Sequence, residues 1–445
     1  MSVLVDRFIE KARDGDNNID NNLYTKYDVK KGLRNEDGTG VLVGLTKIAD
    51  VVGYKRENNK KIDCRGELYY RGIAVSDIIN KRESHQRFLF EETCFLIIFG
   101  YLPNKDELET FKAELSKRYE LPKHYLESKI LGFPSKNLMN KLQQEVLMLY
   151  SYDDDPDNTS PKETMYKGLN LIAKIPSIVC YAYRSKVHYF DKQSLYIHQI
   201  RPDYSIAENI LYLLRDDKKF TTKEAEVLDM CLVLHADHGG GNNSTFTNIV
   251  ISSTGTDIYS SFAGAIGSLK GPRHGGANLA VMDQMQKVID CIGLDATDEQ
   301  IKQIIEQILD KNFNDNSGLI YGIGHAVYTL SDPRCEILRQ QCKELAKEKG
   351  REAEFNFYYR FEKAAIAAIE SRKKIHVCAN VDFYSGLIYD MLSIPRELYT
   401  LMFVVGRSVG WLAHNIENKL YADKIIRPAA KYVGETHEYV PLKNR

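Results

Sequence analysis

The sequence predicts an all-α protein of many packed helices, preceded by one short β-hairpin. From about residue 86 onward apolar side chains recur with the helical period, and several helix starts are explicit. Strand-like alternation is confined to residues 41–71. Strands and helices do not alternate along the chain, so the parallel-sheet nucleotide-binding folds are not expected.

The hairpin comes first along the chain. Between residues 41 and 71, β-branched and polar positions alternate on both sides of the tetrad Asn58-Asn59-Lys60-Lys61. A polar turn between two alternating runs is typical of an antiparallel strand pair. We therefore expect these residues to form the only strand pair.

Helix starts follow as S/T-x-x-E/Q capping boxes, in which the hydroxyl and the residue three positions later satisfy each other's backbone N–H groups. The boxes pair Ser160 with Glu163, Thr221 with Glu224 and Thr297 with Gln300. The third leads into an apolar stripe from Ile301 to Leu309, which predicts one amphipathic helix. Gly100, followed by Pro103, ends an earlier helix.

Composition limits the classes of partner. The 445 residues include 60 basic and 61 acidic ones, so no overall field attracts nucleic acid or an anionic membrane. No apolar run approaches the ~18 to 20 residues needed to span a bilayer. The N-terminus lacks a secretory apolar core and carries acidic residues, which favours a cytoplasmic protein.

The eight cysteines show neither a CxxC pair nor zinc-finger spacing with histidine. We expect reduced, mostly buried thiols and no metal site.

Two glycine-flanked histidine turns, LHADHGGGNNS and GPRHGGAN, lie between residues 234 and 278. His235, Asp237 and His238 superficially resemble metal ligands, but the i, i+4 histidine pair of zincins is missing. A hydrogen-bonded structural role and a substrate contact at a helix end remain alternatives for His238. His274 is expected at a turn before a helix, where either a surface or a catalytic role is possible.

Further chemistry-bearing residues lie downstream. In SGLIYGIGHAVYTLSDPRC, glycines precede His325, and Asp332-Pro333-Arg334 is expected to form a turn, for which a simple type I turn is the plain alternative. Asp382 either caps the following helix or is desolvated by its apolar neighbours, which would make it more basic. Arg407 lies in an apolar helix and needs a buried anion or carboxylate partner. Arg427 precedes Pro428.

Histidines, a semi-buried aspartate and unusual arginines suit a small polycarboxylate and carbonyl or enol chemistry. Five stretches carry a specific resemblance to one family, in this order: HADHGGGNNSTFT, SSFAGAIGSLKGPRHGGAN, GIGHAVYTLSDPR, NVDFYSGLIY and GRSVGWLAHNIEN. Over roughly residues 40 to 430 the chain resembles citrate synthase. The resemblance implies a multi-helical fold with a large and a small domain.

The resemblance also implies catalytic roles. Asp382 would take a proton from the methyl group of acetyl-CoA, while His274 hydrogen-bonds the thioester oxygen and His325 polarises the ketone of oxaloacetate. Condensation gives citryl-CoA, which is hydrolysed to citrate and CoA. The CoA thioester is a substrate, and neither a metal nor another cofactor is expected.

Binding residues are implied in the same way. His238, Arg334, Arg407 and Arg427 would hold oxaloacetate, with Arg427 contributed by the partner subunit of a homodimer. Gly322, Ile323 and Gly324 would lie against CoA. The chain departs from part of the family at Ala326 and after Arg427, where Pro-Ala-Ala follows.

The implied domains are a large, dimer-forming one (residues 1–276 and 390–445) and a small one (residues 277–389) that closes over the substrates. Gly275-Gly276 and Gly386 are candidate hinges, with tight helix–helix turns as the alternative. Two other functions stay open. One is 2-methylcitrate synthase acting on propionyl-CoA, and the other is a metal-binding helical scaffold that uses His235, His238 and His274.

Overall fold

The computed structural model describes residues 3–14, 19–35, 37–58, 60–83, 86–422 and 424–444. The chain forms two compact units, one from residues 1–44 and 426–445 and the other from residues 45–425. Most of the described chain is helical, with one small antiparallel sheet. The predicted fold class is confirmed.

The helices account for most of the larger unit. The smaller unit contains α1 (Val3–Asp14) and α2 (Asn22–Lys26). The larger unit contains α3 (Val75–Asn80), α4 (Phe90–Phe99), α5 (Lys105–Ser116), α6 (Leu138–Leu149), α7 (Pro161–Tyr189), α8 (Ile206–Leu214), α9 (Thr222–His235), α10 (Asn243–Ser252), α11 (Ile258–Lys270), α12 (Ala277–Ile292), α13 (Asp298–Leu309), α14 (Pro333–Lys349), α15 (Glu352–Lys373), α16 (Asp382–Met391) and α17 (Tyr399–Tyr421).

The sheet contains the predicted hairpin. Strands β1 (Ala49–Glu57) and β2 (Lys60–Tyr70) pair antiparallel, with Ala49 opposite Tyr70 and an irregularity in register between Val52 and Tyr54. A two-residue strand, β3 (Ile73–Ala74), extends the sheet beyond the expected pair. Asn59 of the predicted turn lies outside the described residues.

Two of the three predicted capping boxes form, at Thr221 and at Thr297. The third is only half present. The Ser160 hydroxyl accepts from the Glu163 N–H at 3.4 Å, but the Ser160 N–H donates to Asn158 Oδ1 at 3.3 Å. The preceding turn therefore supplies the acceptor that we expected from Glu163.

The core runs through α17, which is buried along most of its length. The predicted stripe of α13 is buried at Ile301, Ile304, Ile305 and Ile308. All eight cysteines are free thiols; Cys64 is half-buried, Cys291 is exposed and the other six are buried, as expected. No helix in the described part of the chain is long and apolar enough to cross a membrane.

The candidate hinge glycines lie in close-packed positions. A Cβ on Gly275 would lie 2.2 Å from the Leu269 carbonyl oxygen, so the α11–α12 turn needs glycine there. Gly386 lies inside α16, where a Cβ would meet Met282 at 2.7 Å, so the alternative of a tight helix–helix turn is wrong at this residue. Its role as a hinge stays a prediction. The division at residues 277 and 389 falls within the larger unit and stays a prediction.

Candidate active site

The turn after α9 presents His238. The Asp237 carboxylate accepts from the Gly239 N–H at 3.0 Å, and Gly239 has a φ of 76°, which glycine adopts without strain. The ring of His238 lies 5.1 Å from that of His325 and 5.5 Å from that of Tyr328. Its Nε2 is buried with no hydrogen-bond partner among the described residues. This atom is therefore available to a ligand.

His325 lies in a loop that fixes its tautomer. Its Nδ1 accepts from the Val327 N–H at 3.0 Å and from the Tyr328 N–H at 3.1 Å. The ring also stacks on Tyr328, with centroids 4.7 Å apart. Because Nδ1 accepts, the neutral imidazole carries its proton on Nε2. The loop thus makes Nε2 the donor of the ring.

Arg334 lies in the first turn of α14. Asp332 caps this helix by accepting from the Arg334 N–H at 3.0 Å, so the segment is a helix start and the simple type I turn is wrong. The same carboxylate accepts from Arg334 Nε at 3.0 Å and Nη2 at 2.7 Å. Burial lowers the pKa of Arg334, but Asp332 more than offsets this and holds it above its usual range. Nη2 also lies 3.4 Å from Nε2 of His325.

Arg407 is fully buried in α17. Its Nε donates to the His235 carbonyl at 2.7 Å, and the guanidinium lies 4.6 Å from the centre of the Phe403 ring. Nη1 and Nη2 have no hydrogen-bond partner within the described chain. Burial lowers the pKa of Arg407 to about 10, so the group is still charged at neutral pH. A buried cation whose Nη1 and Nη2 have no partner within the described chain is suited to bind an anion.

His274 lies in the tight turn between α11 and α12. Its Nε2 accepts from the Ser244 N–H at 3.3 Å, which leaves the proton of the neutral ring on Nδ1. Burial, with a contribution from Arg407, lowers the pKa of His274 to about 4. The ring is therefore neutral at physiological pH and acts as a hydrogen-bond donor through Nδ1.

Asp382 is the first residue of α16, and its side chain does not cap the helix. Asn380 Oδ1 accepts from the Asp382 N–H at 2.9 Å, and no side-chain cap bond forms at the start of the helix itself. The capping alternative for Asp382 is therefore wrong. Burial raises the pKa of Asp382 to about 6, against the opposing effect of Arg334 and Arg407. A carboxylate of this basicity suits a general base.

A short backbone ladder ties the loop of His325 to the start of α16. The Gly324 N–H donates to the Cys378 carbonyl and the Asn380 N–H to the Gly322 carbonyl, both at 2.8 Å. Gly322 and Gly324 have φ values of 79° and 103°. A Cβ on Gly322 would lie 2.9 Å from the Phe383 ring. These glycines have a structural role here, and their contact with CoA, together with that of Ile323, stays a prediction.

The hairpin supports the same loop from the other side. A Cβ on Gly53 would lie 2.4 Å from the Val327 carbonyl oxygen, and one on Gly66 would lie 2.0 Å from that of Ser331. The Gly66 N–H donates to the Ser331 hydroxyl at 3.0 Å. The strand pair predicted from alternation thus packs directly behind the residues that follow His325.

Six of the seven predicted catalytic and oxaloacetate-binding residues lie in the unit of residues 45–425. Electrostatic interactions connect them: Arg334 and Arg407 both act on Asp382 and on His238, and Arg407 acts on His274. Arg427 belongs to the other unit and is exposed, and its role stays a prediction. No group of three His, Cys, Asp or Glu side chains in the described ranges could hold a metal ion.

Sequence reasoning missed the residues that orient these groups. They are Tyr70, Ser244, Asn380, Phe403 and His414. The Asn380-x-Asp382 spacing is a local signal that could have been found, since Asn side chains accept from the N–H two residues on. Phe403 lies one helical turn before Arg407 and is a second local signal. Tyr70, Ser244 and His414 act across long sequence distances and leave no local pattern.

Comparison with known proteins shows which family this chain resembles. The family model described as "Citrate synthase, C-terminal domain" matches residues 36–429. Citrate synthase 2 of Bacillus subtilis is 34% identical over 380 residues, covering 85% of this chain and 93% of that protein. The 2-methylcitrate synthase of Shewanella oneidensis is 33% identical over 380 residues, covering 85% and 92%.

A solved structure agrees as well. The ternary complex of a Thermoplasma acidophilum citrate synthase with carboxymethyl coenzyme A and oxaloacetate superposes with a TM-score of 0.77 at 26% identity, over 94% of this chain and 99% of that one. Together with the family match, this likeness identifies an enzyme. The chain belongs to the citrate synthase family.

Proposed function

We propose that the protein condenses acetyl-CoA with oxaloacetate and water to give citrate and CoA. The observation that carries the proposal is the buried Arg407 guanidinium, whose Nη1 and Nη2 have no partner among the described residues. It acts electrostatically on Asp382, a carboxylate whose pKa burial raises to about 6. An anion site beside a base of this strength suits a dicarboxylate and a weakly acidic carbon.

The first step is formation of the enol. Asp382 takes a proton from the methyl group of acetyl-CoA, while neutral His274 donates its Nδ1 hydrogen to the thioester oxygen. A thioester α-proton is weakly acidic, so base and oxygen partner must act together. Each contributes roughly 10² to 10³ or more in rate.

Carbon–carbon bond formation follows. The Nε2 hydrogen of His325 polarises the ketone of oxaloacetate, and the enol carbon attacks it to give citryl-CoA, which water hydrolyses to citrate and CoA. His238, Arg334 and Arg407 hold the dicarboxylate. No electrons are transferred between substrates and protein, so we propose no redox cofactor, and the steps use no metal.

Assembly and location complete the proposal. The protein acts as a homodimer in which Arg427 of one subunit reaches the oxaloacetate of the other, and residues 277–389 close over the substrates. Residues 322–324 lie against CoA. The reaction takes place in the cytoplasm.

The proposal is tested by turnover. Purified protein mixed with acetyl-CoA, oxaloacetate and a thiol reagent should release free CoA. Absence of release with wild-type protein would refute the function. An Asp382→Ala variant with wild-type turnover would refute the assignment of the base.

Propionyl-CoA is the second candidate substrate, because a 2-methylcitrate synthase is as similar to this chain as the citrate synthases are. Comparing kcat/KM for acetyl-CoA and propionyl-CoA decides between them. One methylene changes discrimination by only ~1 to 3 kcal/mol, so both activities must be measured side by side.

The role of Arg427 is tested by mixing two inactive variants, Arg427→Gln and Asp382→Asn. If Arg427 acts across the interface, a mixed dimer contains one site with both native residues, and activity reappears. If Arg427 acts within its own subunit, every site in the mixed dimer lacks one of them and no activity returns.

A further inference from the structure

Asp237 is a fully buried carboxylate directly before His238 in sequence, and the proposed reaction gives it no role. Its Oδ2 accepts from the Gly239 N–H at 3.0 Å and lies 3.1 Å from His414 Nε2. Burial raises the pKa of Asp237, but His414 outweighs this effect and the net shift is downward. Asp237 is therefore ionised, and since a carboxylate only accepts, His414 Nε2 is the donor.

His414 lies on the same helix as Arg407, seven residues later and hence on the same face. This face of α17 contacts three consecutive residues at the end of α9. The contacts run from Arg407 Nε to the His235 carbonyl at 2.7 Å, from the Gly410 N–H to the Ala236 carbonyl at 3.1 Å, and from His414 Nε2 to the Asp237 carboxylate at 3.1 Å. The segment that leads into His238 is thus fixed residue by residue.

The close approach of Gly410 to the end of α9 fixes which residues of α17 and α9 face each other. A Cβ on Gly410 would lie 2.3 Å from Asp237 Oδ1 and 2.7 Å from the Ala236 carbonyl oxygen. From the hairpin, the Tyr70 hydroxyl donates to the Val233 carbonyl at 2.9 Å. The end of α9 is held from two sides, with His414 as the only side chain that hydrogen-bonds the Asp237 carboxylate within the described ranges.

The charge of Asp237 also matters to Arg407. Burial lowers the pKa of Arg407, and Asp237 provides the largest opposing effect. Asp237 does so without occupying the guanidinium, because its own hydrogen bonds go to His414 and Gly239. Nη1 and Nη2 of Arg407 therefore remain for a substrate carboxylate.

We propose that His414 is a positioning residue for the dicarboxylate site: by holding Asp237, it sets the His238 turn and leaves Nη1 and Nη2 of Arg407 free of Asp237. This inference rests on the proposed function, because it takes oxaloacetate as the ligand of His238 and Arg407. It predicts that loss of the His414 hydrogen bond weakens the binding of oxaloacetate and leaves the binding of acetyl-CoA unchanged.

The test compares His414→Leu with His414→Gln in steady-state kinetics. Glutamine carries an amide N–H near the position of imidazole Nε2, whereas leucine carries no donor. A hydrogen bond to a charged group corresponds to a factor of about ten or more in affinity. We expect the KM for oxaloacetate to rise about tenfold or more in His414→Leu and less than about threefold in His414→Gln, with the KM for acetyl-CoA within about twofold of wild type.

An unchanged oxaloacetate KM in His414→Leu would overturn the inference. So would a His414→Gln variant as impaired as His414→Leu, or an equal loss for both substrates. If His414→Leu does not fold, His414→Asn replaces it, because its amide is one methylene too short to reach Asp237, and the same rise is expected. Wild-type protein is assayed first: without turnover the proposed function fails, whereas turnover without the expected KM pattern overturns only the role of His414.

Discussion

At the scale of a single residue, the burial that would make Asp382 a base in the proposed reaction also affects the stability of the fold. Its folded-state pKa of about 6 lies above the ~3.9 of an unfolded aspartate, so the folded protein holds this proton more tightly. The stability that it contributes is present below about pH 4 and is lost as the pH rises through about 6. At neutral pH the ionised carboxylate is a destabilising group.

Replacement of Asp382 by Asn should therefore raise stability while abolishing catalysis. We expect the free energy of unfolding at pH 7 to rise by up to about 3 kcal/mol and kcat to fall by about 10³-fold or more. Denaturant titration and the CoA-release assay measure the two effects. The helix start should be unaffected, because Asn380 accepts the Asp382 N–H. A variant that is both less stable and active would contradict this account.

The pH profile of kcat/KM follows from the same groups. In the proposed reaction Asp382 must be ionised in the free enzyme, so activity should fall about tenfold per pH unit below about pH 6. The pKa of His274 is only about 4, so His274 should add no step between pH 5 and 8. A His274→Gln variant should therefore lose rate but keep the acid limb of the wild-type profile. A shift of the acid limb of the kcat/KM profile in His274→Gln would show that His274 titrates between pH 5 and 8.

Residue types and spacing were enough to select His274, His325, Asp382 and Arg407 as candidates. The isolated motifs did not decide whether each of these residues has a structural or a catalytic role. The resemblance to a family supplied the catalytic and binding roles. The tautomers of the two histidines could not be predicted, because the N–H groups that fix them come from loop geometry. The basicity of Asp382 depends on burial, which a local sequence only suggests.

At the scale of elements, the contact between α9 and α17 depends on glycine. Gly410→Ala would place a methyl group against Asp237 Oδ1 and the Ala236 carbonyl. We expect the free energy of unfolding to fall by about 1 to 3 kcal/mol, measured by denaturant titration. Gly241→Ala is the matched control, since a Cβ there meets nothing within 4 Å. Equal stability of the two variants would show that the helices can move apart without penalty.

Helical periodicity and capping boxes predicted the elements well, because both act within one or two turns of chain. The helix stop at Gly100, the stripe of α13 and the hairpin are examples, and each is confirmed. The same reasoning failed at Ser160 and Gly386, where a neighbouring turn and a packed helix decide the outcome. Contacts such as Tyr70 with the end of α9 join residues more than 160 positions apart.

For the molecule as a whole, the proposed binding of oxaloacetate at the buried Arg407 would make stability depend on the substrate. Oxaloacetate at about 100 times its Kd should stabilise the protein by about 2.7 kcal/mol, seen as a rise in Tm. Arg407→Met should lose this stabilisation, because it removes the buried guanidinium whose Nη1 and Nη2 have no hydrogen-bond partner among the described residues. Its Tm should not respond to oxaloacetate. A ligand-dependent Tm in this variant would place the anion site elsewhere.

The ladder between residues 322–324 and 378–380 has a consequence for changing the acyl group that the enzyme accepts. It couples the loop of His325 to the helix start of Asp382, so we expect a substitution in either segment to move both groups together. Room for a longer acyl chain must then come from residues outside the ladder, and Phe403, whose ring contacts those of His235 and His274, is the candidate. Directed evolution toward bulkier thioesters should accumulate its productive changes around Phe403 and leave the ladder glycines untouched.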